Sequence, residues 1–276
     1  MIAQTKDDPT LGLMISEYLT DIGTDLNFKS LENIMQYPQR RFFNQLDCNV
    51  DNIYSLSENW IPSQIKINKD KKNKILKTHN IMCSIKNRAF TNGENTKGVI
   101  YVVRDPRNVV TSILNHFLKK NINDAFNFIS DPNKIIGRNF SNINQKISKD
   151  NEIITLISSW SNHYNSWKNY NSIKSIIIKY EDLIRNTADN FYEIVLYLNK
   201  LYGTKVDEKK ILKSIELTNF KNLQNLEKEH GFEEITISKT FFREGKIGSW
   251  KKKLDEKLSK KIENEFKNEM IELGYL

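Results

Sequence analysis

The chain has 276 residues, 38% of them hydrophobic, and its 42 Lys and Arg outnumber its 34 Asp and Glu. That length buries one large core, and the net charge of +8 favours an anionic ligand or surface. No apolar run reaches the length of a membrane span, no N-terminal segment has signal-peptide layout, and Cys48 and Cys83 are too few for a disulfide framework and lack metal-ligand spacing. The expectation is one domain over residues 1–276 in a reducing, cytoplasmic setting.

In chain order, Phe28 to Met35 reads as a short amphipathic helix and Lys74 to His79 as a short strand. Gly98 to Arg104 is the next strand, and Pro106 to Lys119 a helix. Asn121 to Asp150 is rich in Asn without a clean period, and reads as a variable loop region holding one short helix. Glu152 to Lys168 reads as a helix, with Leu156, Trp160, His163, Tyr164 and Trp167 along one face. Ile173 to Lys179 is an isoleucine-rich strand. Helices follow over Leu183 to Leu201, Asp207 to Leu217 and Leu254 to Leu273. Strands alternating with helices predict an α/β fold, a mostly parallel sheet with helices on both faces.

The basic residues do not form a nucleic-acid stripe. Lysines gather in Lys69–Lys74 and Lys251–Lys261, interrupted by Asp, Asn and Glu, with no aromatic interleaving. The first cluster suits a solvated loop, the second the polar face of the last helix.

The junction at Arg104 carries the most chemistry. An apolar strand runs straight into Arg104-Asp105-Pro106. Asp105 is placed to cap a helix, and Pro106 is pre-set for its first position. Such a junction brings backbone N–H groups, the positive end of a helix and a guanidinium to one point, with the Ser112 hydroxyl two turns along. That suits a phosphate held at the carboxyl ends of parallel strands.

Here the sequence resembles the PAPS-dependent sulfotransferases, which use 3′-phosphoadenosine 5′-phosphosulfate. The strand-end Arg104, with Pro106 and Ser112, is similar to their 3′-phosphate signature. Lys77-Thr78-His79 matches their Lys-Thr-His segment, and Lys179-Tyr180-Glu181-Asp182 falls at a strand end. Thr218-Asn219-Phe220 takes the place of a Thr-Ser-Phe, and Phe242 to Lys251 resembles the C-terminal Arg-Lys-Gly-x-x-Gly-x-Trp-Lys block. Five segments in the right order cover the chain from about residue 25 to Leu276. The resemblance implies a P-loop-NTPase-like fold and PAPS as co-substrate, without a metal.

It also implies roles. His79 is the general base, and Lys77, two residues earlier on the same strand face, orients the base or the acceptor. Arg104 and Ser112 hold the 3′-phosphate, joined by Arg243 and the backbone at Gly245. Tyr180 touches the adenine edge. Phe220 stacks on the purine, with Thr218 adding a polar contact. Glu244 stands where the family has Lys and would repel a phosphate. Trp250 reads as packing that anchors the Gly245–Gly248 loop. His116, His163 and His230 are assigned no chemistry.

The family opens with a strand and a phosphate-binding loop, Tyr-Pro-Lys-Ser-Gly-x-Thr-Trp, and that pattern is absent here. Met1-Ile2-Ala3-Gln4 then reads as the end of the helix that should follow the loop. The expectation is a sheet missing its first strand and a chain of little or no activity. The alternatives are a pseudoenzyme or binding module that keeps the 3′-phosphoadenosine half-site, and a different phosphate-binding α/β enzyme. The acceptor is a hydroxyl (or amine) group of a small molecule or a glycan; the sequence does not fix it, nor the oligomeric state.

Overall fold

A computed structural model describes residues 1–4, 9–20, 27–116, 121–137, 153–232, 242, 245 and 247–276. Its strands are β1 (Ile2–Gln4), β2 (Ile34–Gln36), β3 (Ile75–Thr78), β4 (Ser84–Ile85), β5 (Arg88–Ala89), β6 (Gly98–Val103), β7 (Ile135–Ile136), β8 (Thr155–Leu156) and β9 (Lys174–Lys179). Its α-helices are α1 (Pro9–Thr20), α2 (Ile53–Ile67), α3 (Pro106–His116), α4 (Ile122–Ser130), α5 (Trp160–Lys168), α6 (Tyr180–Arg185) and α7 (Thr187–Tyr202). They continue with α8 (Glu208–Leu217), α9 (Phe220–His230), α10 (Glu256–Glu265) and α11 (Lys267–Glu272). No helix among the described residues is long and apolar enough to cross a membrane.

The fold is α/β, built on a five-stranded sheet of order β2-β3-β1-β6-β9. The central strand is β1. It runs parallel to β3, with Ile2 opposite Lys77 and Ala3 opposite Thr78. It also runs parallel to β6, with Ile2 opposite Ile100, Ala3 opposite Tyr101 and Gln4 opposite Val102. β3, β1 and β6 therefore end side by side, at Thr78, Gln4 and Val103, the end at which parallel sheets present their ligands. All six residues of β6 are buried, which accounts for its unbroken apolar run.

This corrects the expectation of a missing first strand. Met1 to Gln4 is not a helix end; Ile2–Gln4 is a strand whose small Ala3, fully buried, fits between two neighbours. Helix α1 follows it, so the strand–link–helix order expected at the start of the family is present. The link itself, Thr5-Lys6-Asp7-Asp8, lies outside the described residues.

Other boundaries shift for local reasons. Phe28 to Asn33 is a 3₁₀ turn that passes into β2, in place of one helix to Met35. The helix expected from Glu152 begins only at Trp160. Ser159 caps it by accepting from the Asn162 N–H, and Thr155–Leu156 is occupied in pairing with Ile135–Ile136. The region 121–150 holds the short helix α4 and strand β7, and residues 138–150 lie outside the described part. The final helix breaks at Phe266 into α10 and α11.

The chain forms two compact units, each discontinuous in sequence. The first takes residues 1–5, 36–102 and 127–177; the second takes 6–35, 103–126 and 178–276. The first unit is centred on aromatic packing. Phe90 meets Tyr37, Trp60 and Trp167 at ring-centroid distances of 5.6, 5.3 and 6.2 Å, the last two edge-on. In the second unit, α8 packs against α1 and α7, and α3 packs against α10. A separate cluster there joins Leu13, Leu223, Phe232 and Phe242, with Phe28, Leu31 and Phe220 against it.

The central place of β1 gives a direct check. Replacing Ala3 with Asp puts an unpaired charge between two strands and is expected to cost more than about 3 kcal/mol in urea unfolding. A loss below about 1 kcal/mol would show that this strand is not central.

Candidate functional site

The first unit holds Lys77 and His79. Lys77 lies in β3 and His79 one residue past its end; both are 8% exposed. Asn80, which follows, is fully buried and fastens the segment. Its backbone N–H donates to Thr78 Oγ1 at 3.1 Å, and its Oδ1 accepts from the Leu156 N–H at 2.9 Å. The Ile81 N–H donates to the Leu156 carbonyl at 2.7 Å.

Helix α5 closes on the same segment. The Trp167 indole donates to the Asn80 carbonyl at 3.0 Å, and Ser166 Oγ accepts from the Met82 N–H at 3.1 Å. His163, fully buried, lies 3.1 Å by its Nε2 from the His79 carbonyl and 2.8 Å by its Nδ1 from the Tyr101 hydroxyl. Burial pushes the His163 pKa down to about 4, so the ring is neutral at physiological pH. The residues around His79 to which the sequence alone gives no role are therefore Asn80 and His163. The four-residue spacing of His163 and Trp167 is the one sequence signal for this contact.

The second unit holds the residues expected to bind the nucleotide. Asp105 caps α3 as anticipated, accepting from the Arg107 N–H at 2.9 Å. Its carboxylate also takes the Arg107 guanidinium through two parallel bonds, Nε to Oδ1 at 3.0 Å and Nη2 to Oδ2 at 2.9 Å. Arg107 further donates to Glu263 Oε1 at 2.6 Å and to the Tyr275 carbonyl at 3.0 Å, and it lies 4.1 Å over the Trp250 ring. Glu181 completes the network. It accepts from the Asp105 N–H at 3.1 Å and from the Tyr275 hydroxyl at 2.8 Å. Burial and the Glu181 carboxylate push the Tyr275 pKa far up, so this hydroxyl stays protonated and donates.

Two of the residues expected to bind the nucleotide adjoin this frame. Arg104 immediately precedes Asp105, and Tyr180 immediately precedes Glu181. The Arg104 guanidinium sits 4.3 Å over the Tyr180 ring. The structure thus brings together the strand-end arginine and the strand-end tyrosine.

The C-terminal block comes to α3 as well. Asn108, one turn before Ser112, accepts from the Trp250 N–H at 3.3 Å and from Ser249 Oγ at 3.4 Å. Gly245, in the left-handed region at φ +54°, lies so close to Phe220 that a Cβ there would stand 2.7 Å from the ring. Phe220 also meets Phe242 edge-on at 6.4 Å. Thr218 is buried, and its hydroxyl donates to the Ser214 carbonyl at 2.7 Å. Arg243 lies outside the described residues.

Phe220 lies against Gly245, which has no side chain, and the Arg104 guanidinium stacks on the Tyr180 ring beside the start of α3. The comparisons with known proteins show the family. The sequence matches the sulfotransferase domain family over residues 14–274. The chain belongs to the sulfotransferase family. Cytosolic sulfotransferase 12 of Arabidopsis thaliana is 32% identical over 95 residues, 34% of this chain and 28% of that protein, so this match spans under a third of the relative's length. Among solved structures, retinol dehydratase in complex with androsterone and the inactive cofactor PAP superposes with a TM-score of 0.62 at 17% identity. It covers 98% of this chain and 79% of the other. A mouse sulfotransferase complexed with PAP gives 0.55 at 14% identity, over 98% and 83% of the two chains. At these identities the solved structures show a shared fold.

The Arg107 network makes the second prediction. Both partners of its two-bond pair are nearly buried, with side chains 9% and 7% exposed. Arg107→Met leaves Asp105 as a buried, uncompensated carboxylate and is expected to cost about 3–5 kcal/mol in chemical denaturation. A loss under about 1 kcal/mol would show that the network does not organise this unit.

Proposed function

We propose that this sulfotransferase-family chain transfers a sulfuryl group from 3′-phosphoadenosine 5′-phosphosulfate to a hydroxyl group of a small-molecule or glycan acceptor. The observation that carries the reading is the Arg104–Tyr180 pair, fixed at the ends of two strands by Asp105 and Glu181. Arg104 and Ser112 hold the 3′-phosphate, with Arg243 and the Gly245 backbone joining them. Tyr180 and Phe220 take the adenine, and Thr218 supports the Phe220 segment from the end of α8.

The co-substrate supplies an activated sulfuryl group on a phosphate leaving group. The reaction forms an acceptor oxygen–sulfur bond, breaks the sulfur–phosphate oxygen bond and releases the acceptor proton. His79 accepts that proton, and Lys77 beside it favours an oxygen gaining negative charge. Charge on the leaving phosphate needs a cation near the β1–α1 link. Lys6 is the basic residue of that link. With β1 in place, the chain is expected to be active, in contrast to the expectation drawn from the missing loop pattern. The carboxylates of Asp7 and Asp8, next to Lys6, favour the second reading, a chain that binds the spent nucleotide without turnover.

The test combines calorimetric binding of adenosine 3′,5′-bisphosphate (PAP) with turnover of PAPS on a panel of phenols, sterols, alcohols and oligosaccharides. Arg104→Ala is expected to weaken PAP binding by about 10–100-fold, the worth of a charge-assisted phosphate contact. His79→Ala is expected to leave PAP binding unchanged and lower turnover by about 10²–10⁴-fold. Lys6→Ala is expected to lower kcat by about 10²-fold or more. Tight PAP binding with no turnover on any acceptor would favour the binding module; no PAP binding at all would overturn both readings.

A further inference from the structure

We propose that His163 is a positioning residue for His79, holding the main chain at the base so that its ring keeps one aim. The inference rests on the reading of His79 as the base, and it comes from the first unit alone. His163 touches no acceptor, being fully buried on α5. Its two ring nitrogens face unlike partners. One is the His79 carbonyl, 3.1 Å from Nε2, and the other is the Tyr101 hydroxyl, 2.8 Å from Nδ1.

A carbonyl oxygen only accepts, so Nε2 carries the proton and donates. Nδ1 is then bare and accepts from Tyr101. Burial keeps the Tyr101 hydroxyl protonated, with its pKa well above the ordinary value. The chain of donors therefore runs one way, from Tyr101 through His163 to His79. It fixes a single tautomer of a ring that carries no charge.

The grip extends over two residues. One turn beyond His163 on the same helix, the Trp167 indole donates to the Asn80 carbonyl at 3.0 Å. Consecutive carbonyls, at 79 and 80, are thus held by one face of α5. His79 itself sits just past the end of β3, where no strand ladder fixes its carbonyl. With the carbonyl held and Asn80 fastened on both sides, rotation about the His79 main chain is blocked. Its side chain then leaves from a fixed Cα. Without the His163 donor the His79 carbonyl loses that hold while the strand stays intact. A displacement of about 1 Å at a reacting group is enough to cost about 10² in rate.

The experiment measures kcat, KM for PAPS and PAP affinity in the full chain with His163→Leu, His163→Gln, Tyr101→Phe and His79→Ala, with ¹⁵N spectra of the histidine rings in the free protein. The expected ring spectrum shows one neutral histidine protonated at Nε2 between pH 6 and 8, absent in His163→Gln. His163→Leu is expected to lower kcat by about 10–100-fold and leave PAP affinity within about twofold. His163→Gln, whose amide reaches the same carbonyl, is expected to return kcat to within about fivefold of the parent. Should His163→Leu fail to fold, Tyr101→Phe decides, because it frees Nδ1 to take the proton and is expected to lower kcat by about 3–10-fold. Wild-type kcat in His163→Leu or in Tyr101→Phe overturns the inference, as does equal loss in the Leu and Gln variants. An Nδ1-protonated His163 overturns it without any activity measurement. Wild-type turnover in His79→Ala overturns the base reading instead.

Discussion

The second unit hangs on the Asp105 residue. Its side chain ends α3 at the N-terminus and neutralises Arg107, while its backbone N–H is held by Glu181. A capping carboxylate and a guanidinium pair are each ordinary. Combined and buried, they cannot be loosened separately, because freeing either partner strands a charge away from water. The residues just before Asp105 and Glu181 inherit that rigidity. Those residues are Arg104 and Tyr180, whose side chains meet at 4.3 Å. The phosphate site proposed there, with two fixed walls, would need little reorganisation when an anion arrives, and preorganised charge is worth most where water is excluded. The last residues of the chain share in the frame. The Tyr275 hydroxyl reaches Glu181 and its carbonyl takes a bond from Arg107.

The first unit solves a different problem with neutral groups. His79 follows a four-residue strand, and its neighbours are amide, hydroxyl, indole and imidazole. Uncharged donors on α5 hold the carbonyls of residues 79 and 80. The difference between the two units matches the charge each is proposed to handle: a permanent anion in the second, a moving proton in the first.

Much of this is legible in the residues, for identifiable reasons. Capping chemistry is local, so Asp105-Pro106 announces α3, and the buried run before it announces β6. Helix α5 shows its inward face through Trp160, His163, Tyr164 and Trp167, though its start is set by Ser159 and by the pairing of Thr155–Leu156, which sequence period does not reveal. The central strand is illegible: three residues, Ile2 to Gln4, carry no period, and Met-Ile-Ala-Gln is equally acceptable in a helix. Its identity comes from β3 and β6, more than 70 residues away along the chain. The site divides the same way. Arg104, Ser112, His79 and Phe220 stand in motifs. His163 reaches His79 across 84 residues, and Tyr275 reaches Glu181 across 94, so neither role has a local signature.

The central proposal is that Arg104, Ser112, Tyr180 and Phe220 take the nucleotide and that His79 takes the acceptor proton. A crystal structure of the chain grown with PAP and an acceptor alcohol tests it most directly. The account predicts the 3′-phosphate on Arg104 and Ser112 and the adenine against Tyr180 and Phe220. It also predicts the acceptor hydroxyl about 3 Å from the His79 ring. A nucleotide bound away from Arg104, or an acceptor whose hydroxyl has no path to His79, would contradict it.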